Sequence, residues 1–468
     1  MLKISLIEGM AVSCPMVSKH EFVFLMKFNL DALNQSLAKA RKCKDLIVGF
    51  SGGIDSSVLL HGVLLLSRKG LLRANIKAIH INHKLNKSCD DWESFCTHIC
   101  SENKISLEVK ALTSLHNLSE GINEELLRKE RYRAFSSSLD SESGLLLAHH
   151  KDDQLETLLL RLNRGSGMKG LSGIQESRPL GKGIIFRPLL KFDRQSIAEF
   201  AKNEGLEWVE DKSNLDTRMD RNFLRHEVLP QIESRWPKYR ESWFKSLTLI
   251  NVAYALEQKQ AEEDMSALSC QQSKALDIKG LGRLSPERQR AVLKYWCFRF
   301  KGVSLGWNKL CHIVDEFLPA AAVSSTNFYL GNCKISSFRG FLHLVSIAEP
   351  DLVDCVWDVS QSDEIVLENN GLLKAKEGEG EGISFETAGL FEIRYRKGGE
   401  MFKVAGGRSK SLKKIFQEKD VEPWMRSRVP LIYQGGELIS IVGVGVSEDM
   451  QAKNGRKGYS IAWIKPRF

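Results

Sequence analysis

The chain predicts an α/β protein: an N-terminal domain on a parallel sheet, then a mostly helical domain, then a small α+β domain. Three observations carry this reading. An apolar run, Leu46 to Phe50, stops at Ser51-Gly52-Gly53 and resumes with helical spacing from Ser56, which is a buried strand, a glycine turn and a helix start. Apolar runs at Ile76–Ile81, Ile105–Val109 and Leu145–Ala148 then alternate with helical stretches at Cys89–Ser101 and Ile122–Leu139, the order of a parallel sheet covered on both faces. From Phe391 onward the runs are short and alternating, as in LIYQGGELISIVGVGV, where Gly435-Gly436 reads as a hairpin turn.

The 468 residues suggest two to four domains. Residues 1–26 mix Lys3, Glu8, Lys19, His20 and Glu21 among apolar residues, so no signal-peptide core appears. They are either an extension of unassigned role or the product of an upstream start codon, with Met16 or Met26 as the true start. The first domain is expected over 27–230. Residues 231–350 read as helical, because ESWFKSLTLINVAYALEQKQAEEDM lacks breakers and ERQRAVLKYWCFRF repeats apolar residues at helical intervals. Residues 351–389 read as a linker and strand region in which Lys376–Gly382 forms an exposed hairpin or linker. The last domain spans 390–468.

Composition is ordinary for a soluble protein, with 43% hydrophobic and 27% charged residues. A net charge of +9 favours an anionic partner such as nucleic acid. No apolar run approaches the ~20 residues of a membrane span, so no membrane partner is expected. The ten cysteines include no C-x-x-C pair. Cys89, Cys96, His98 and Cys100 cluster without a standard zinc spacing. They read as buried thiols in a reducing cytosol, which makes the expected location cytoplasmic.

The glycine turn carries the first chemical signal. Glycines let the backbone approach a ligand and adopt positive φ, while Ser51, Ser56 and Ser57 add hydroxyls. A helix N-terminus offers unpaired N–H groups and a positive dipole end. Capping by Asp55 or Ser56 is the simpler role for such residues, but it does not account for Ser-Gly-Gly directly after a buried strand. Ser51, Gly52, Gly53, Ile54, Asp55 and Ser56 are therefore candidate phosphate-binding residues. GxxxxGK[ST] is absent and an aspartate follows the glycines. A carboxylate beside phosphate oxygens requires a cation between them, either an amine or a metal such as Mg2+.

The second signal is LLLAHHKDDQLETLLLRLNRGSGMKGLSGI, residues 145–174. A strand ends at Ala148, a helix opens at Asp152 or Asp153, and Leu155, Leu158, Leu159 and Leu162 form its buried stripe. Asp153 and Glu156 are three apart, so both carboxylates share one helical face and suit an ammonium group or a magnesium ion. Asp152 serves equally well as a carboxylate favoured by the helix dipole. His149 and His150 are candidate bases or phosphate donors, or structural residues at a strand end. Arg161, Arg164 and the RGSGMKG run suit phosphates but are common features. Ligands of such sheets lie beyond the carboxyl ends of strands, which places both signals on one edge.

The motifs SGGIDSS, HINHKLN, AHHKDDQLETLLLRLNRGSGMKGLSGI, RPLL and WVEDKSNLDTRMDRNFLRHEVLP, in that order, resemble the tRNA(Ile)-lysidine synthases, members of the pyrophosphate-loop ATPases. The resemblance resumes at RYRKGGEMFKVAGGRSKSLKKIFQEKDVEPWMRSRVPLIY, and the middle region fits by position only. It implies a pyrophosphate-loop domain that binds ATP through Ser51–Ser56 and cleaves it between the α- and β-phosphates. The implied reaction adenylates the wobble cytidine of tRNA(Ile) with a CAU anticodon and joins L-lysine to its C2, releasing AMP and pyrophosphate. Asp153 and Glu156 match acidic residues that the resemblance implies hold lysine, with Mg2+ as the implied cofactor. Arg128, Arg131 and Arg133 match a basic helix near the cleft, and Arg131 is read as catalytic together with Asp55, Asp153 and Glu156. Salt bridges to Glu124, Glu125 and Glu130 are the plainer role for these arginines. Arg221, Asn222 and Arg225 match a signature at the end of the first domain, the arginines being expected at the tRNA.

The C-terminal block carries Lys397, Lys403, Arg408, Lys410, Lys413, Lys414, Lys419 and Arg426 with Phe416 and Trp424 interleaved. A run of charge is by default a solvated face; here it reads as a tRNA surface, with Lys410, Lys413, Lys414 and Arg426 as contacts. A monomer or homodimer is expected. Three alternatives stay open: a 2-thiocytidine enzyme on the same loop, although it needs paired cysteines; an amidating synthetase, although no glutaminase domain precedes the loop; and a non-catalytic RNA-binding protein liganded by ATP.

Overall fold

The computed structural model describes residues 27–84, 88–112, 124–211, 215–270, 274–348, 351–380, 382–385, 389–452 and 455–465. The expected extension over 1–26 lies outside the described residues. The chain divides into two compact units, Met1–Leu256 and Glu257–Phe468.

The first unit runs α1 (Leu30–Ser36), β1 (Asp45–Gly49), α2 (Ile54–Arg68), β2 (Asn75–Asn82), α3 (Ser88–Glu102) and β3 (Ser106–Ala111). It continues with α4 (Glu124–Ser137), β4 (Ser143–Leu146), α5 (Lys151–Asn163) and α6 (Met168–Leu171). The hairpin β5 (Ser177–Leu180) and β6 (Gly183–Phe186) follows, then α7 (Arg194–Asn203), α8 (Asp220–Phe223) and α9 (Leu229–Arg235). One sheet results, ordered β3-β2-β1-β4-β6-β5. Its pairs are parallel except β5 with β6, so the parallel sheet expected from the sequence is present.

Side chains alternate across β1, and that alternation sorts the helices. Leu46 and Val48 enter a core shared with Val58, Leu59 and Val63 of α2. Ile47 enters the opposite core, with Ile79, Leu145, Ile185 and with Phe135 of α4. Strand order reverses between β1 and β4, and at such a switch point the flanking loops leave a crevice at the strands' carboxyl ends. Val48 lies opposite Leu146, so the turn after β1 and the histidines after β4 end side by side.

The leucine stripe of α5 is shorter than expected. Leu155 and Leu158 are buried but Leu162 is 52% exposed. Leu155 packs with Leu229 of α9 and Tyr239, and Leu159 joins Trp243 and Phe244 there; the last turn of α5 runs past those partners. The same packing extends the first compact unit beyond residue 230. Tyr239–Leu268 is one long helix, α10.

In the second unit, α11 (Ile278–Gly282), α12 (Pro286–Lys301), α13 (Trp307–His312) and α14 (Leu318–Val323) do not stand alone. They share a core around Trp296, Ile313 and Ile335 with four antiparallel strands ordered β7-β10-β9-β8. These are β7 (Leu276–Asp277), β8 (Asn327–Tyr329), β9 (Cys333–Phe338) and β10 (Phe341–Ser346).

The segment read as a linker supplies β11 (Cys355–Asp358), β12 (Glu364–Leu367) and β13 (Gly371–Glu379). The Gly- and Glu-rich stretch is largely the end of β13, which pairs along its length with the strand Lys457–Ile464. Sheet pairing satisfies the backbone there, so the stretch is not an exposed linker. Gly435 and Gly436 take φ of 58° and 84° between the paired strands Leu431–Gln434 and Glu437–Ile441, the hairpin turn the sequence predicts.

Candidate active site

The turn after β1 is built for close approach. Gly52 has φ +83°, and a Cβ there would meet Val209 Cγ2 at 2.9 Å, with Cys96 Sγ and Phe95 Cδ1 at 3.3 Å. Only glycine fits this backbone without strain. Val209 N–H donates to the Gly52 carbonyl at 2.9 Å, and a ring nitrogen of buried His80 lies 2.9 Å from the Phe50 carbonyl. Both ends of the turn are thus anchored.

Within the turn, Ser56 Oγ donates to the Gly53 carbonyl at 2.8 Å and accepts the Ser51 N–H at 3.2 Å. Its single proton is then committed, so Ser51 Oγ, 3.0 Å away, is the donor between the two hydroxyls. The first N–H groups of α2 have no intrahelical acceptor, and Gly53, its N-cap, provides no side-chain cap. A fifteen-residue helix therefore presents its positive end at the crevice.

Beside it, His150 is buried between three carboxylates. Its Nε2 lies 3.7 Å from Asp55 Oδ2 and 3.6 Å from Asp153 Oδ2, and its Nδ1 lies 3.7 Å from Asp152 Oδ2. His150 is the N-cap of α5, and its N–H donates to Asp153 Oδ2 at 2.9 Å. Asp153 therefore fills both roles foreseen for it, carboxylate of the helix end and member of the cluster. Asp152 is taken up structurally, accepting Arg240 Nε–H and the Arg194 N–H, each at 3.1 Å.

Asp153 and Glu156 share a face of α5, as their spacing requires. Arg225 joins them, with Nε and Nη2 at 2.8 and 2.7 Å from Glu156 Oε1 and Nη2 at 3.6 Å from Asp153 Oδ1. Arg221 Nε lies 3.4 Å from Glu156 Oε2, and its Nη2 donates to Thr157 Oγ1 at 3.1 Å. These arginines, expected at the tRNA, pair with the cluster's carboxylates. A fully buried carboxylate such as Glu156 needs a fixed cation to stay charged.

The carboxyls separate in acidity. Burial pushes Asp153 up, but His150, Arg221 and the His150 N–H outweigh it and hold the group at about 2. Burial raises Asp55 and Glu156, only partly opposed by His150 at Asp55 and by Arg225 at Glu156. Asp55 Oδ1 is buried and has no hydrogen-bond partner among the described residues.

Three family models match consecutive parts of the chain: a PP-loop domain over residues 26–232, a TilS substrate binding domain over 276–343 and a TilS substrate C-terminal domain over 391–463. The chain is 36% identical over 427 residues to a tRNA(Ile)-lysidine synthase of Coxiella burnetii, covering 90% of this chain and 93% of that one. It is 33% identical over 452 residues to the enzyme of that name from Yersinia pseudotuberculosis, covering 93% and 97%. For that of Nitrosomonas europaea the identity is 35% over 436 residues, covering 91% and 93%. The chain belongs to the tRNA(Ile)-lysidine synthase family.

The other expected residues of this lysidine-synthase fold have these surroundings. Arg131 lies beside Tyr132 of α4, its guanidinium 6.0 Å from the ring centre. Exposed Arg133 pairs with Glu130 at 2.9 Å. In the C-terminal block Phe416 is fully buried, and Trp424 packs 4.8 Å from His343 and 6.0 Å from Phe338; the aromatics interleaved among the lysines are packing residues. Arg426 donates to the Val421 carbonyl at 2.9 Å and Lys410 pairs with Glu418 at 2.7 Å. Lys413 and Lys414 are exposed on the helix Leu412–Glu418.

Sequence reasoning missed Arg187, Arg194 and Arg240. Arg187 had a visible signal, a lone arginine ending the apolar strand GIIF. Arg240 had none, because its partner Asp152 lies 88 residues away.

Proposed function

We propose that the chain joins L-lysine to C2 of the wobble cytidine in tRNA(Ile) with a CAU anticodon, through an adenylated cytidine. ATP is consumed to AMP and pyrophosphate, and the tRNA passes from methionine to isoleucine identity. One observation carries the reading: an anion-binding turn and a carboxylate cluster share a crevice at the switch point of the sheet. Neither half suffices alone, because a phosphate loop without a held nucleophile only binds nucleotide.

The chemistry needs both. The cytosine C2 oxygen attacks the α-phosphate and pyrophosphate leaves. The lysine ε-amine then attacks C2, the amine loses a proton, and AMP departs with the former C2 oxygen. The first N–H groups of α2 stabilise charge on the phosphate oxygens, while Ser51 and Ser56 hold the turn in shape. Asp153, ionised at every physiological pH, attracts the lysine ammonium. Glu156 adds to that negative field and, already bound by Arg225 and Arg221, fixes both guanidiniums facing the crevice. The unpartnered, buried oxygen of Asp55 fits a cation. Mg2+ arriving on ATP would take only one or two carboxylates from the protein. Asp55 would hold such an ion, whose charge would offset that of the phosphates.

Lys413 and Lys414 fit the tRNA backbone. Among the described residues no helix is long and apolar enough to cross a membrane, and we place the enzyme in the cytoplasm as a monomer or homodimer. The test is incubation with ATP, labelled lysine and CAU-anticodon tRNA(Ile). Labelled RNA with one AMP per lysine is expected. AMP formation with no lysine on the RNA would refute the reading, and tRNA binding without nucleotide cleavage would favour a non-catalytic RNA-binding protein.

A further inference from the structure

On the face of the sheet opposite α2, four guanidiniums surround one phenol. The Tyr132 ring centre lies 4.8 Å from the Arg178 guanidinium carbon, 5.2 Å from that of Arg128 and 6.0 Å from that of Arg131. Arg187 Nη2 meets the Tyr132 hydroxyl at 3.2 Å. Arg187 is 4% exposed, yet its other partners are neutral: the Gln175 carbonyl at 2.8 Å and His149 Nδ1 at 3.3 Å.

Buried guanidiniums normally sit against carboxylates. Here three elements, α4, β5 and the segment after β6, bring cations together around an aromatic face. The assembly stands at the carboxyl edge of the sheet, beside His149 in the segment after β4, and β6 is separated from β1 by β4. The ATP turn lies at the other helix layer.

We propose that Tyr132 and the arginines fanned around it form a cradle for a backbone phosphate of single-stranded RNA flanking the reacting base. The inference rests on the tRNA-modifying reading above. Guanidinium forks match phosphate oxygens, and an aromatic ring among them supports a neighbouring base by stacking. Tyr132 packs on the Ile47 face of the sheet, opposite the face that α2 covers.

The phenol reports the same field. Burial would raise it, but Arg187 and Arg128, with Arg131, bring it down to about 8. The charged groups facing it are those three with Arg178; Phe135 packs at its edge, and His149 is reached through Arg187. Above that pH the phenolate cancels one cation of the cradle.

The experiment uses the full chain with Arg178→Ala, Arg128→Ala and Tyr132→Phe. For each arginine variant the KM for tRNA should rise about tenfold and the KM for ATP stay within twofold. The slope of log affinity for tRNA against log salt should fall by ~0.7 for the lost single-strand phosphate contact. Arg178→Lys should recover part of the loss. Wild-type tRNA affinity should drop as pH rises through 8, and Tyr132→Phe should abolish that drop. Unchanged salt slopes, or a rise in the KM for ATP instead, would overturn the cradle. If Arg178→Ala does not fold, the pH profile of Tyr132→Phe decides alone. Absence of lysine incorporation by the wild type would instead refute the parent reading.

Discussion

Gly52→Ala tests the phosphate turn most directly. At φ +83° an alanine sits in the left-handed region, at a cost of about 1–2 kcal/mol. Its Cβ would also lie 2.9 Å from Val209 Cγ2 and 3.3 Å from Cys96 Sγ, an overpacking worth roughly 1 kcal/mol or more. The binding-competent turn is then about 2–3 kcal/mol above a relaxed alternative, and apparent ATP affinity falls by the same factor, about 30- to 150-fold. Val209→Ala in the same chain removes the nearest atom but leaves the backbone strain. The double variant should therefore regain about fivefold and no more. Nucleotide titration of the wild type, the two single variants and the double variant measures this. ATP affinity within twofold of wild type for Gly52→Ala would refute the claim that this turn must be glycine to bind phosphate. Full recovery in the double variant would place the whole cost in the contact and none in the backbone.

Four further outcomes follow from the geometry. Asp55→Asn and Asp153→Asn should each lower lysine incorporation by at least 100-fold while tRNA binding by filter retention stays within threefold. Glu156→Gln leaves Arg225 without its counter-charge and should destabilise the first unit by about 2–3 kcal/mol in urea unfolding, below the full cost of breaking a buried pair because Arg225 keeps some solvent contact. Asp153, held at about 2, contributes stability that is complete above its unfolded pKa of ~4 and lost as pH falls through 2, which urea unfolding at pH 2 to 5 measures. Trp424→Ala should lower the melting temperature of the chain through lost packing on His343 and Phe338, with tRNA affinity reduced less than by Lys413→Glu/Lys414→Glu.

What the sequence disclosed follows the range of the interactions. The turn at Ser51–Ser56 is legible because strand, glycine and helix start are contiguous, and each reports its own backbone geometry. Asp153 and Glu156 are legible because three residues along a helix bring two side chains to one face. Arg221 and Arg225 illustrate the limit. Their positive charge is compatible with RNA, but their partner Glu156 is 69 residues from Arg225, and no local pattern encodes that meeting. Trp424 and Phe416 fail for a related reason. An aromatic among lysines has the same composition whether it faces RNA or core, and only the neighbouring strands, unread in the sequence, settle which.

The distribution of charge explains why the site is assembled from distant segments. Asp55, Asp152, Asp153 and Glu156 crowd one crevice, and four carboxylates this close would repel one another and any nucleotide. His150 stands between three of them, and Arg225, Arg221 and Arg240 come from the segment that follows the sheet. Placing the cations there, rather than on the neighbouring strands, makes an ionised Glu156 conditional on α8 and the turn that follows it being docked on α5. A chain truncated before Met219 would keep the sheet and the glycine turn yet lose the guanidiniums that hold the buried carboxylates charged. Glu156 would then take up a proton and the crevice would lose part of its negative charge. The carboxylate half of the site is therefore completed by the end of the first unit, although all its acidic residues precede residue 157.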